Sequence, residues 1–196
     1  MKKLLLSLLL VLPLCGFAQK GMQGVGVSFG YGTETEYYGR SNMHVNEASN
    51  LGVVYQRFIA NNFRLSASLG IVANRHGFEY DGSEYIGRYP FGGIDMHYFF
   101  IHGTRRLEPY AIGGFSIGYF MSSSNDNDDD RWRKREEITW GAKLGAGLNY
   151  RLCYHLTAQL EVPIYIQRYC YSFFDVKQPF LMYYYLIPSV NIVYTF

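Results

Sequence analysis

Apolar and polar residues alternate with period two along much of this 196-residue chain. From Ile138 to Leu152 one set of positions reads Ile, Trp, Ala, Leu, Ala, Leu, Tyr, Leu. The intervening set is Thr139, Gly141, Lys143, Gly145, Gly147, Asn149 and Arg151. Leu156, Ala158, Leu160, Val162, Ile164 and Ile166 alternate with Thr157, Gln159, Glu161, Pro163, Tyr165 and Gln167. Phe63, Leu65, Ala67, Leu69, Ile71 and Ala73 alternate with Arg64, Ser66, Ser68, Gly70, Val72 and Asn74. A helix cannot make this pattern, because its neighbours on one face lie three and four residues apart; a strand with two unlike faces does.

With those three strands fixed, five more follow. Val25, Val27, Phe29 and Tyr31 mark a strand near 23–32, and Leu51, Val53 and Tyr55 one near 49–57. Ile94, Met96, Tyr98 and Phe100 oppose Asp95 and His97 near 88–100. A strand near 107–121 has its phase blurred by Gly113-Gly114. The last, near 180–196, sets Leu186, Pro188, Val190, Ile192, Tyr194 and Phe196 against Ser189, Asn191 and Thr195. Eight is an even number, as closure of an up-and-down bacterial barrel requires. The connections at Phe58 to Asn62, Ile101 to Arg106 and Leu152 to His155 are short, and the others are expected to be loops of roughly 10 to 16 residues, the asymmetry of outer-membrane barrels. The fold expected is an all-β, eight-stranded antiparallel up-and-down transmembrane β-barrel.

A soluble, lipocalin-like barrel would use the same alternation with the apolar face inward. Polar faces rich in Gly, Ser and Thr suit a narrow interior instead. Aromatic clusters such as Tyr169-Cys170-Tyr171 with Phe173-Phe174, and Tyr183-Tyr184-Tyr185, suit interface girdles.

The N-terminus reads as an export signal occupying residues 1–18, which leaves one barrel domain at 19–196. Lys2 and Lys3 precede an apolar run from Leu4 to Leu14, and Gly16-Phe17-Ala18 places small residues before Gln19. That run is shorter than the roughly 20 residues a spanning helix needs. Lipidation at Cys15 is disfavoured by Leu14, where a small residue is normally required. The chain has 18 Lys+Arg and 16 Asp+Glu. Loss of Lys2 and Lys3 makes the remainder formally neutral, so the charge is no argument for nucleic acid. Cys153 and Cys170 flank one predicted strand, roughly 50 Å apart at about 3.3 Å per residue. No disulfide is expected between them.

The whole chain resembles the small outer-membrane barrels described as porin-family or OmpA-like, especially those of Bacteroidota. The resemblance is carried by Phe17-Ala18-Gln19, by Pro109-Tyr110-Ala111-Ile112-Gly113-Gly114, and by the closing Asn191-Ile192-Val193-Tyr194-Thr195-Phe196. It implies export through the Sec pathway, residence in the outer membrane among lipid and lipopolysaccharide, and recognition of Phe196, Tyr194 and Ile192 by the barrel-assembly machinery.

Arg64, Asp95, His97, Lys143, Arg151 and Glu161 fall on the polar faces. Charges in a narrow lumen must be paired or hydrated, so these six are expected to form an interior ion-pair network, with Lys143–Glu161 at its centre and Asp95 joining. An eight-stranded barrel has room for side chains rather than an open channel. Asp126, Asp128, Asp130 and Glu137 match positions 1, 3, 5 and 12 of a calcium-loop template, but Arg131 stands where that template needs Gly and a strand follows. A solvated hairpin tip, its basic half touching lipopolysaccharide phosphates, is the expected use of this segment. His44, His76, His97, His102 and His155 form no metal-spaced pair. The His-x-Ser-Asn arrangement of lipid A deacylases is absent, and Ser41-Asn42-Met43-His44 has the ingredients in the wrong order. No cofactor is implied. The reading is a non-enzymatic barrel with a structural or surface-binding role, whose outer loops present Tyr37, Tyr38, Arg40, His44, Phe78, Tyr80 and Tyr85. A small porin-like pore is the alternative, and a lipid A-modifying enzyme is a more distant one.

Overall fold

A computed structural model describes residues 21–38, 42–77, 84–101, 106–124, 133–170 and 182–196. Strands β1 (Gln23–Tyr38), β2 (Asn42–Ala60), β3 (Phe63–Gly77), β4 (Glu84–Phe99), β5 (Leu107–Ser124), β6 (Arg133–Arg151) and β7 (Leu156–Cys170) pair in sequence order, each antiparallel to the next. The eighth is broken into β8 (Met182–Leu186) and β9 (Ser189–Thr195). Both halves pair with β7 on one side and β1 on the other, which closes the ring. The break falls at Ile187-Pro188, where proline has no N–H to give the ladder. The Pro188 carbonyl still accepts from the Tyr31 N–H at 3.1 Å.

Exposure separates the membrane barrel from its inside-out counterpart. Leu51 and Leu69 on the outer surface are 65% and 67% exposed, whereas Arg64, Asp95 and Glu161 are 2–3% exposed. Apolar side chains face out and charges face in. Rings gather at both edges of the apolar band: Tyr98 with Phe63 and Phe100, and His155 with Tyr154 and Tyr194, at the end bearing the short turns; Phe115 with Trp140, and Tyr31, Tyr119 and Tyr184, towards the other. Tyr185, expected in a girdle, is instead turned into the barrel and fully buried. The phase of β5 is continuous through Gly113-Gly114, because both ladders keep register there.

The long loops expected after the first, third and fifth strands are a correction; the one expected after the seventh lies outside the described residues. β1 and β2 remain paired as far as Tyr38↔Asn42, β3 and β4 to Gly77↔Glu84, and β5 and β6 to Ser124↔Arg133. Strands of 15 to 19 residues exceed the 9 to 11 needed to span a bilayer. The surplus forms hairpin arms beyond the band at the end opposite the short turns. Pairing continues within each hairpin because it satisfies backbone N–H and C=O groups, while the apolar alternation stops where the lipid stops.

Candidate functional site

The barrel interior is filled at three levels. Nearest the turns, Phe58, Phe99, Tyr110 and Ile112 pack together with Met22 against them. The Arg64 guanidinium lies over three of these rings, 4.9 Å from Phe99, 5.0 Å from Tyr110 and 5.8 Å from Phe58. Its Nε donates to His97 Nδ1 at 3.1 Å, with Nη2 at 2.6 Å from the same nitrogen. That tautomer places the remaining imidazole proton on Nε2, 4.0 Å from Glu161 Oε1. The His97 ring stacks on Tyr110 at 5.0 Å.

The middle level is ionic. Lys143 Nζ donates to Asp95 Oδ2 at 2.8 Å and stands 3.5 Å from Glu161 Oε2. Glu161 Oε1 accepts from the Tyr110 hydroxyl at 2.9 Å, and Lys143 Nζ lies 5.6 Å from the centre of the Tyr165 ring. Two glycines make this crowding feasible. Asp95 occupies the space where a Cβ on Gly114 would stand, and the Tyr110 ring does the same at Gly147. The upper level is apolar again, built from Ala48, Val72, Tyr165, Tyr185 and Ile187 with Phe91 against them.

Five of the six residues assigned to a network from sequence thus meet in one contiguous cluster, drawn from β3, β4, β6 and β7. Arg151 does not join it. It lies at the turn end, half exposed, 3.5 Å from Glu108 Oε1. There Glu108 also accepts from Asn149 Nδ2 at 2.9 Å, and Gln56 and Gln159 exchange two amide hydrogen bonds of 2.8 and 2.9 Å. These groups line a vestibule of about 210 Å³ that the lower apolar level separates from the rest of the lumen. A second cavity of about 20 Å³, lined by Ser28, Ser66, Ser68, Asn50 and Asn191 among others, lies beside the ionic level; it has room for about one water.

Sequence reasoning missed Tyr110, Glu108, the Gln56–Gln159 bracket and the inward Tyr185. Tyr110 and Glu108 share the parity of Ser116 on β5, a signal hidden by the glycine pair between them. Asp126, Asp128 and Asp130 lie outside the described residues, as does the Glu137 side chain. Among the described residues no group of three His, Cys, Asp or Glu side chains is placed to hold a metal. Phe196, Tyr194 and Ile192 all face outward at the closing strand and its end. Cys153 is an exposed free thiol in the β6–β7 turn.

No family model matches the chain, and no curated protein does. Solved structures do. A major outer membrane protein from Thermus thermophilus superposes with a TM-score of 0.58 at 13% identity, over 89% of this chain and 99% of that one. The N-terminal β-barrel domain of Pseudomonas aeruginosa OprF gives 0.52 at 13%, over 91% and 100%. Ail, the attachment invasion locus protein of Yersinia pestis, in complex with the heparin analogue sucrose octasulfate, gives 0.51 at 11%, over 89% and 99%. The chain has the fold of the small eight-stranded outer-membrane β-barrels.

Proposed function

We propose that this protein is an integral outer-membrane barrel with a structural or surface-binding role, its closed lumen anchoring the hairpin arms. The observation that carries this reading is the succession of three filled levels, apolar, ionic and apolar, across a barrel already narrow for its strand number. A pore would need a continuous hydrated path, and a barrel enzyme would need an activated nucleophile beside its base. Ail, which shares the fold, is an attachment protein by name; it supports the surface-binding half of the proposal as a precedent of architecture.

In this reading residues 1–18 are removed on export through the Sec pathway, the short turns face the periplasm, and the hairpin arms stand outside among lipopolysaccharide. Phe196, Tyr194 and Ile192 are read by the assembly machinery. Purified barrel in a planar bilayer tests the central point: no steady conductance is expected. Stable open-channel steps from folded protein would establish the porin-like alternative in its place.

A further inference from the structure

Arg57 is a charge on the lipid-facing surface that the apolar band does not explain. It is exposed on β2 between Tyr55 and Ile59, both also exposed, near the turn end. Its ladder partner on β1 is Gln23, and on β3 it is Leu65. The Tyr55 hydroxyl donates to Gln23 Oε1 at 2.8 Å. The amide oxygen is therefore occupied, and its two N–H donors remain for another acceptor. Residues directly opposite on antiparallel strands carry Cβ atoms about 4.5–5.5 Å apart, so this amide and the guanidinium can converge on one group.

The protein's own acceptors at this end are engaged elsewhere. Glu108 is buried inside the barrel against Asn149 and Arg151, and the Phe196 main-chain oxygen accepts from the Gln23 N–H at 3.2 Å. No carboxylate of the described residues pairs with Arg57. At the edge of an apolar band an arginine lays its stem along hydrocarbon and sends its head to the headgroup layer. Its planar fork matches phosphate oxygens in a bidentate way.

We propose that Arg57 and Gln23, with Gln23 oriented by Tyr55, bind the phosphate of a phospholipid headgroup in the leaflet at the turn end. Arg57 supplies charge and two parallel N–H donors, Gln23 supplies further donors, and Leu65 and Ile59 flank the acyl chains. The site rests on the membrane reading above but makes a separate demand, that one lipid is held at one place.

Native mass spectrometry of folded barrel released from detergent, titrated with phosphatidylglycerol, phosphatidylethanolamine or dioleoylglycerol, tests it. Wild type is expected to retain one equivalent of either phospholipid and none of the phosphate-free dioleoylglycerol. Arg57→Gln should lower retention about tenfold, Gln23→Leu several-fold and Arg57→Lys by an intermediate amount, whereas Arg88→Gln at the opposite end should leave it unchanged. Equal retention of dioleoylglycerol, or an unchanged adduct in Arg57→Gln, would overturn the site. Displacement of the lipid by millimolar inorganic phosphate would overturn its assignment to a lipid and leave a free-phosphate site. Folding of each variant is checked by heat-modifiable gel mobility; failure of wild type in that assay would count against the membrane reading itself rather than against this site.

Discussion

A substitution inside the barrel acts on groups that have little water to fall back on, so its cost depends on what it leaves unpaired. Lys143 holds two carboxylates, Asp95 and Glu161. Lys143→Met should destabilise the barrel by about 3–5 kcal/mol, the usual range for stranding a buried charge. Arg151→Met removes one partner of the buried Glu108, which keeps the Asn149 amide and faces the vestibule, and should cost less, about 1–3 kcal/mol. Urea unfolding in lipid vesicles separates the two. The Gln56–Gln159 bracket gives a sharper test. Either single change to Leu leaves one buried amide without its partner and should cost about 1–3 kcal/mol, while the double change should cost less than the sum of the two. Additive losses in that cycle would show that the two amides do not act as a unit. The sequence showed which face these residues occupy, but it could not show their reach. The Cα partner of Lys143 on β7 is Tyr165, four positions from Glu161, and only the length of the lysine side chain closes that diagonal.

The strands were legible where lipid dictates their pattern. In β6 every outward position from Ile138 to Tyr150 is apolar or aromatic, because an unsolvated polar group there is penalised, and the period-two signal follows directly. Beyond the band no such penalty acts, so Thr33, Glu47 and Arg88 stand exposed on hairpin arms that remain paired. Those arms read as loops by composition although backbone pairing continues. The same reasoning makes the cost of charge depend on position within an element. Leu144→Arg lies on the lipid face near mid-strand and should cost about 2–4 kcal/mol, whereas Thr33→Arg, above the band, should cost about 0–1 kcal/mol. Equilibrium unfolding of the two variants in one bilayer measures the contrast, and equal costs would mean that the band has been placed at the wrong height.

At the scale of the whole molecule, closure is a matter of barriers in series. The lower level is removed by Arg64→Ala with Phe99→Ala, the ionic level by Lys143→Ala with Glu161→Ala, and the upper level by Tyr165→Ala with Tyr185→Ala. An ion crossing the barrel meets all three levels in turn, so opening one or two should leave conductance at the baseline. The ionic-level variant also carries Asp95→Asn, because Asp95 is bound to Lys143 at 2.8 Å and would otherwise be left as a buried, unpaired carboxylate. The apolar levels oppose ions for a different reason, since an ion shedding its water among Phe58, Phe99 and Ile112 or among Val72, Tyr185 and Ile187 meets no counter-charge there. Planar-bilayer recordings of folded variants should therefore show steady steps only when all three levels are cut. Steps in the ionic-level variant alone would mean that the aromatic levels move aside and that Lys143, Asp95 and Glu161 are the whole of the barrier.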